Sequence, residues 1–404
     1  MWKRAGLWYR IPLTFVAGMD LSTVKVLLAM AATWGVPAKH GDIPNAYLKV
    51  DKEPILEILL QVPQAMEVDD TTLKKLGAAS TKDLALELRK SFYGLKLAGR
   101  LWSQLLHAKL CSAGFTQCVE DMCHYWKSDG KDTVEVGVYV DDLLATGTGA
   151  AAVDRFFASL ASLSIKDLVR VSKFLGMRVA LDGEGGYVLD QEEAISDLLQ
   201  EHGLTNANST IAPIGADCYE VQPIDSVQLE VTSTNGAPTI RDSQSLVGSL
   251  LWVARFTRPD IEFAVHKTTR QTHQPRLHDW KLAKRVTRYL KGTKTTKINM
   301  KPRDVRCASP KLESISDADF AADKSDRKLL TGGIILLNGM AISWSAKKQG
   351  GVSLSAMEAE FVAASEIASE LLGVREMLIK IGMARELPML MHVDNQAAIR
   401  QLEG

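Results

Sequence analysis

Tyr139-Val140-Asp141-Asp142 constrains this chain more than any other stretch. It follows a run with Val134, Val136 and Val138 at alternate positions, and Leu143-Leu144 comes next. Alternation of β-branched residues predicts a strand, which puts the paired aspartates at a tight strand–turn–strand. Adjacent carboxylates repel each other and are costly to desolvate unless a cation neutralises them. Oxygen ligands suit Mg²⁺, and a two-metal phosphoryl-transfer site needs carboxylates at such a strand end. An Asp-Asp after a strand is also a common polar turn, so the tetrad alone leaves both readings open.

At 404 residues the chain exceeds one ordinary domain, and two or three are expected. Its apolar content of 46% suffices for their cores. The formal net charge is zero, so bulk charge announces no nucleic-acid partner. Cys111, Cys118, Cys123, Cys218 and Cys307 form no CxxC pair, which fits free thiols in a reducing compartment and argues against a zinc knuckle. No stretch approaches the length of a membrane span. Trp2 to Val16 contains Arg10 and Pro12 and lacks a signal-peptide pattern. An intracellular protein is expected, neither secreted nor membrane-bound.

Periodicity predicts a helix over Leu21 to Trp34, capped by Asp20 or Ser22 and ended by Gly35 and Pro37. Residues 38–48 read as a strand carrying Asp42, and 99–115 as a helix with Leu101, Leu105, Leu106 and Leu110 on one face. Further helices are expected at Val153 to Leu163 and Gln191 to His202, with a hairpin from Phe174 to Leu189 between them. Residues 204–240 lack periodicity and read as a connector. Residues 243–292 are helical, and from Arg255 to Lys297 twelve Lys/Arg stand against three Asp/Glu. That excess is either a solvated helical face or a track for a phosphate backbone, with Trp280 and Tyr289 as aromatic support. His266, His273 and His278 read as packing or surface residues, with no cysteine partner close by. Beyond them come a strand at Ser314 to Phe320, a hairpin through Asn338-Gly339, a helix from Ser355 and a strand at Leu390 to Asp394. Ser355-Ala356-Met357-Glu358 is a capping box, so Glu358 is expected to cap its helix and leave Glu360 free.

The order of motifs goes further. Asp42-Ile43-Pro44-Asn45-Ala46-Tyr47, Lys90 to Lys96, Arg100-Leu101-Trp102, the aspartate tetrad and Phe174-Leu175-Gly176-Met177 resemble the reverse transcriptase of copia-type LTR retrotransposons. Ser245 to Trp252, Thr257 to Ile261, Tyr289 to Thr293, Ser316 to Asp319, Ile342 to Ser345, Ala359 to Phe361 and Val393 to Gln396 extend the likeness.

The resemblance implies an α+β architecture. Residues 1–203 would form a fingers remnant and a palm, an antiparallel sheet with packed helices. A connector at 204–240 and a basic helical thumb or connection region at 241–304 would follow, then a C-terminally truncated ribonuclease H-like α/β domain at 305–404. It implies that Asp42, Asp141 and Asp142 converge on two Mg²⁺ (or Mn²⁺) ions, with Asp142 in support. Tyr47 would be the steric gate that selects dNTPs, while Lys96, Arg100 and Tyr139 would lie on the substrate side, as would Lys90. Asp317, Glu360 and Asp394 would hold metal for hydrolysis of RNA in a hybrid, with Asp319 a neighbour and Lys347, Lys348 and Gln349 near the backbone. The implied partners are an RNA template, a DNA primer, RNA·DNA hybrid, dNTPs and other parts of a Pol polyprotein. The implied location is a cytoplasmic particle or the nucleus.

The chain departs from the family pattern in places. Leu97 and Gly99 stand where the family has Gln and Pro, and Leu97 cannot make the amide's hydrogen bond. Met1 to Met19 does not supply a clear basic fingers segment, and no further acidic residue of the nuclease pattern follows Asp394. The competing expectation is therefore a catalytically impaired retroelement relic that only binds nucleic acid.

Overall fold

The computed structural model describes residues 18–53, 57–215, 222–233, 236–303, 310–319, 329–383 and 388–403. The amino-terminal stretch through residue 17, Cys218, Cys307, Phe320 and the side chain of Asp319 lie outside the described residues. The first helix, α1 (Leu21–Trp34), begins where Asp20 accepts the Ser22 amide and ends where Gly35 turns left-handed at φ 66°. Every residue from Thr23 to Thr33 is buried. A helix buried all round belongs between other layers.

Next come β1 (Lys39–Asp42), β2 (Leu59–Gln61), α2 (Asp70–Leu76), β3 (Ala85–Glu87) and α3 (Ala98–Ser112). They are followed by β4 (Thr116–Gln117), β5 (His124–Ser128), β6 (Thr133–Tyr139), β7 (Asp142–Gly147), α4 (Ala150–Ser159) and β8 (Lys166–Arg170). β2 and β3 pair with each other; the others form a six-stranded sheet in the order β4-β5-β6-β7-β1-β8. Every pairing in that sheet is antiparallel, and β1 lies between β7 and β8. α1 packs on β6 and β7, and Gly137 admits it: a Cβ there would strike Met19 and Leu27.

β9 (Lys173–Phe174), β10 (Met177–Leu181) and β11 (Tyr187–Asp190) start a second sheet. Leu175 and Gly176, at φ 49° and 81°, make the tight turn between β9 and β10. α5 (Glu192–Glu201), α6 (Ile240–Phe256), α7 (Glu262–Thr269) and α8 (Leu277–Gly292) share a separate core that includes Leu198, Leu250, Val265 and Val286. β12 (Ile298–Met300) then returns to pair with β11. Within the expected connector, a single 3-10 turn spans Pro223–Ser226 and Leu229 donates to the Pro275 carbonyl, so that part is tied down.

The last region holds β13 (Leu312–Asp319), β14 (Leu330–Leu337), β15 (Met340–Lys348), α9 (Ala356–Lys380), β16 (Leu390–Val393) and α10 (Gln396–Glu403). Its sheet order is β15-β14-β13-β16, with β16 parallel to β13. α9 lies across β13 and β14, and a Cβ on Gly333 would strike Ile367. Glu358 caps α9 as expected, but its carboxylate accepts the Leu354 amide, one residue before the N-cap.

The outer layers meet across α1, which also packs on β15. One apolar core runs from Val136 and Leu143 through Leu27 and Leu28 to Met340, Ile342 and Leu378. Lys25 Nζ lies 3.4 Å from the centre of the Trp344 ring and donates to the Arg255 carbonyl at 3.0 Å, and Trp344 Nε1 donates to the neighbouring Ala254 carbonyl. No helix among the described residues is long and apolar enough to cross a membrane.

Candidate active sites

The β6–β7 hairpin pairs Tyr139 with Asp142, which leaves Val140 and Asp141 as its two-residue turn. Val140 sits at φ 58°, a conformation costing a β-branched residue about 1–3 kcal/mol. Two hydrogen bonds and a strand pairing hold the corner in place. Buried Trp102 on α3 donates Nε1 to the Val140 carbonyl at 2.6 Å, the Ile43 amide donates to the Asp141 carbonyl at 2.9 Å, and β1 pairs in register with β7. That register sets Asp42 opposite Asp142, so Asp42, Asp142 and Tyr139 share one face over three strands.

His40, two residues before Asp42, shares that face, and its Nε2 meets Asp142 Oδ1 at 2.7 Å. One Asp142 oxygen is thus engaged by an imidazole. Asp141 keeps no such partner in its charge balance. Burial first, then the charges of Asp142 and Asp42, raise its carboxyl pKa, against a lowering by its own backbone amide.

Aromatic groups flank the carboxylates. Tyr47 lies in a single 3-10 turn (Ala46–Lys49) against which α3 packs. The Tyr47 and Tyr93 rings are 4.6 Å apart at 46°. Both hydroxyls have raised pKa values; burial comes first, and Asp141 contributes to each, joined by Asp42 for Tyr93. Tyr139 packs its ring beside Gly18, and the residue is 37% exposed. Lys96 is exposed just before α3, and Arg100 is half-buried in its first turn. Lys90 is held by Asp51 at 2.7 Å rather than directed at the carboxylates. Leu97 is the N-cap of α3 and contributes no side-chain cap.

The second acidic group is tighter. Asp317 lies near the end of β13, Asp394 follows β16, and the Ser316–Val393 register aligns them. α9 inserts Glu360 between them, and ligand oxygens of the three residues lie within 4.8 Å of one another. Glu360 is only 7% exposed. Its Oε1 accepts the Ala318 amide at 3.2 Å, while the buried Oε2 has no hydrogen-bond partner. Burial first, opposed by the Ala318 amide, and then the charges of Asp317 and Asp394 push its pKa up. Among the described residues this is the one such group of metal-ligating side chains; Asp42, Asp141 and Asp142 do not close to that spacing.

The helical region spends part of its positive charge internally. Arg258 is fully buried and bonds Asp260 and Thr293, and Tyr289 donates to Asp260. Lys281 pairs with Asp225, and Lys291 donates to the Ala207 carbonyl. The expected track is therefore narrower than the count of basic residues suggested, and Tyr289 is a packing residue. His266 is held neutral, its pKa lowered to about 4 by burial first and then by Arg270 and Lys348.

His40, Tyr93 and Trp102 were not singled out from the sequence. His40 could have been found by its same-face spacing to Asp42. Tyr93 and Trp102 lie inside motifs already noted, but their contacts are long-range.

Residues 3–216, more than half of the chain, match the family model described as reverse transcriptase (RNA-dependent DNA polymerase), and the chain belongs to that family. It is similar to retrotransposon proteins over nearly its whole length. The retrovirus-related Pol polyprotein from transposon RE2 of Arabidopsis thaliana is 30% identical over 98% of this chain and 25% of the relative. That from transposon TNT 1-94 of Nicotiana tabacum is 29% identical over 94% of this chain and 27% of the relative. A putative transposon Ty5-1 protein of Saccharomyces cerevisiae is 31% identical over 72% of this chain and 90% of the relative. The chain spans about a quarter of the length of the Pol polyproteins it matches. The resemblance to a retrotransposon Pol read from its motifs holds.

Proposed function

We propose that the chain is an RNA-directed DNA polymerase of a copia-type retrotransposon, with a ribonuclease H-like second activity. The observation that carries the polymerase reading is the register that sets Asp42 opposite Asp142, beside the fixed Asp141 turn. The six-stranded sheet is then the palm, α6 to α8 the thumb or connection, and the last sheet with α9 the nuclease.

Divalent cations fit the donors at both sites. Hard oxygen ligands suit Mg²⁺ or Mn²⁺, and the unpartnered buried oxygen of Glu360, in a cluster with Asp317 and Asp394, is costly unless a cation or a proton satisfies it. Bound there, such ions activate a hydroxyl or water and neutralise charge on the leaving oxygen. Asp42 and Asp141 would be the main ligands of the first site. His40 occupies one Asp142 oxygen and leaves that residue in support. Tyr47 would lie under the incoming sugar and exclude a 2′-hydroxyl. Arg100, Lys96 and Tyr139 would border the template, primer or triphosphate.

Glu360, Asp317 and Asp394 would hold the cations for hydrolysis of RNA in the hybrid, and the Ala318 amide fixes the orientation of Glu360. Primer extension with Mg²⁺ and an RNA or DNA template tests the polymerase assignment. The unaltered chain is expected to extend; equal extension by the Asp141→Asn/Asp142→Asn variant sinks the assignment. Binding without extension by the unaltered chain would identify a relic instead.

A further inference from the structure

We propose that Tyr93 is a positioning residue for the incoming nucleotide: its ring buttresses Tyr47, and the two form one aromatic wall of the nucleotide site, near Asp42 and Asp141. The inference rests on the polymerase reading above and extends it to a residue outside the metal ligands.

The local chain is built to present this ring. Phe92-Tyr93-Gly94-Leu95 is a turn closed by the Leu95 amide on the Phe92 carbonyl at 3.1 Å. Gly94 takes φ 90°, which a side chain would disfavour. The turn is anchored to the loop after Tyr47: buried Ser91 donates its amide to the Val50 carbonyl at 2.8 Å, and Lys90 bridges to Asp51. These bonds tie the Tyr93 turn to the segment that follows Tyr47.

Tyr47 is half-buried against the core, whereas Tyr93 is 47% exposed. Phe92 meets the Tyr93 ring edge-on at 6.4 Å. An aromatic ring tilted against a partner on one side and half-exposed, near two carboxylates, offers an apolar surface to a base or sugar. A nucleoside triphosphate presents that surface together with phosphates that reach cations at the carboxylates. A gate ring discriminates by refusing to move, so its stiffness depends on the ring behind it.

The test is single-nucleotide incorporation of a dNTP and the matching rNTP by the unaltered chain, Tyr93→Ala, Tyr93→Phe, Tyr47→Ala and the double alanine variant. Tyr93→Ala is expected to lower the dNTP-over-rNTP ratio of kcat/KM roughly three- to tenfold, the range an aromatic pair supplies. The change should fall mainly on the rNTP, whose KM should drop as the gate yields, while the dNTP KM stays within about twofold. Tyr93→Phe should hold the ratio within about twofold, since the ring and not the hydroxyl does the buttressing. The double variant should discriminate no worse than Tyr47→Ala, because the two rings act as a unit. An unchanged ratio in Tyr93→Ala, an equal loss on both nucleotides, or multiplying losses in the double variant overturns the inference, while Asp141-dependent extension by the unaltered chain leaves the polymerase reading standing. No extension by the unaltered chain removes that reading and this inference together.

Discussion

The two acidic sites assemble their carboxylates by opposite means. At the first, strand register and a strained turn bring Asp42, Asp141 and Asp142 to one edge of a sheet, and His40 ties one Asp142 oxygen. At the second, a helix drives a buried glutamate between two strand ends, and the three carboxylates stand within 4.8 Å. The second arrangement carries its electrostatic cost in the protein alone, since burial and like charge both raise the Glu360 pKa. The first spreads its charge and relieves part of it through an imidazole. Under the proposed function, the tight cradle would take a cation before substrate arrives, and the looser group would be completed by substrate phosphates.

The largest expected effect separates the two chemically. Glu360→Gln should cut hybrid cleavage roughly a thousandfold, about 4 kcal/mol of transition-state stabilisation, and leave primer extension within about twofold. Asp141→Asn should do the reverse. Parallel extension and cleavage assays on one preparation check this, and a variant that lowers both activities equally breaks the comparison.

Much of this layout was legible beforehand, and the reasons are local. Asp20 and Gly35 bound α1 at the expected residues, because a side-chain cap and a left-handed glycine are local devices. Asn338 and Gly339, at φ 52° and 79°, turn β14 into β15 as an Asn-Gly pair predicts. The helix expected to reach residue 115 stops at Ser112, where the chain turns through Gly114 toward β4. What escaped was long-range. Nothing in the local pattern announces that β12 joins β11, that Arg258 is swallowed by its own region, or that Tyr93 packs against Tyr47. These depend on which faces meet, and charge or aromatic content alone does not say.

The next effect concerns pH, and it probes the sheet that carries the first site and the helix joining it to the second. His124 is buried in β5 beside Glu135. Burial opposes its charge, but the neighbouring Cys118 sulfur and the hydrogen-bonded Glu135 carboxylate outweigh that and raise its pKa from 6.5 to about 9. Its contribution is fully present below about pH 6.5 and is lost as pH rises through about 9. Lys25, at the joint, has the opposite sign. Burial lowers its pKa from 10.5 to about 7, against the raising charges of Asp20 and Glu262. Between those values the unfolded chain holds a proton that the folded one lacks, so stability rises with pH. The two slopes oppose each other between about pH 7 and 9. Lys25→Met keeps the apolar stem and removes the rising term, so its stability should fall relative to the unaltered chain by a few kcal/mol across that window. Urea unfolding at pH 7, 8 and 9 reads the slopes, and parallel curves for the two proteins would refute the assignment.

A smaller effect sharpens the contrast in preorganisation. In EDTA, Glu360→Gln should raise the thermal midpoint, because a neutral amide relieves repulsion with Asp317 and Asp394. Each 1 kcal/mol is worth about 2–4 °C in a domain of 150–250 residues. Added Mg²⁺ should stabilise the unaltered chain by linkage, and the gain should vanish in the variant. Asp142→Asn should show no such rise in EDTA, since it removes the partner of His40 as well as a charge. Thermal scans with and without metal give both answers, and a rise of equal size in the two variants would erase the distinction between cradle and edge.

The smallest effect tests what holds the wall of the first site. Lys90 and Asp51 form an ion pair at 2.7 Å, but their side chains are 53% and 82% exposed. Such a pair contributes about 0–1 kcal/mol and is screened by salt. The Ser91 amide bond to Val50 is buried, and a buried backbone donor left without its partner costs about 1–3 kcal/mol. Lys90→Ala should therefore leave the thermal midpoint within about 2 °C at any salt concentration and leave dNTP-over-rNTP selection unchanged. A loss of selection that deepens at low salt would show that the surface pair, not the backbone bond, positions the Tyr93 turn. The aromatic wall would then depend on exposed charge, and the second site alone would be held from within.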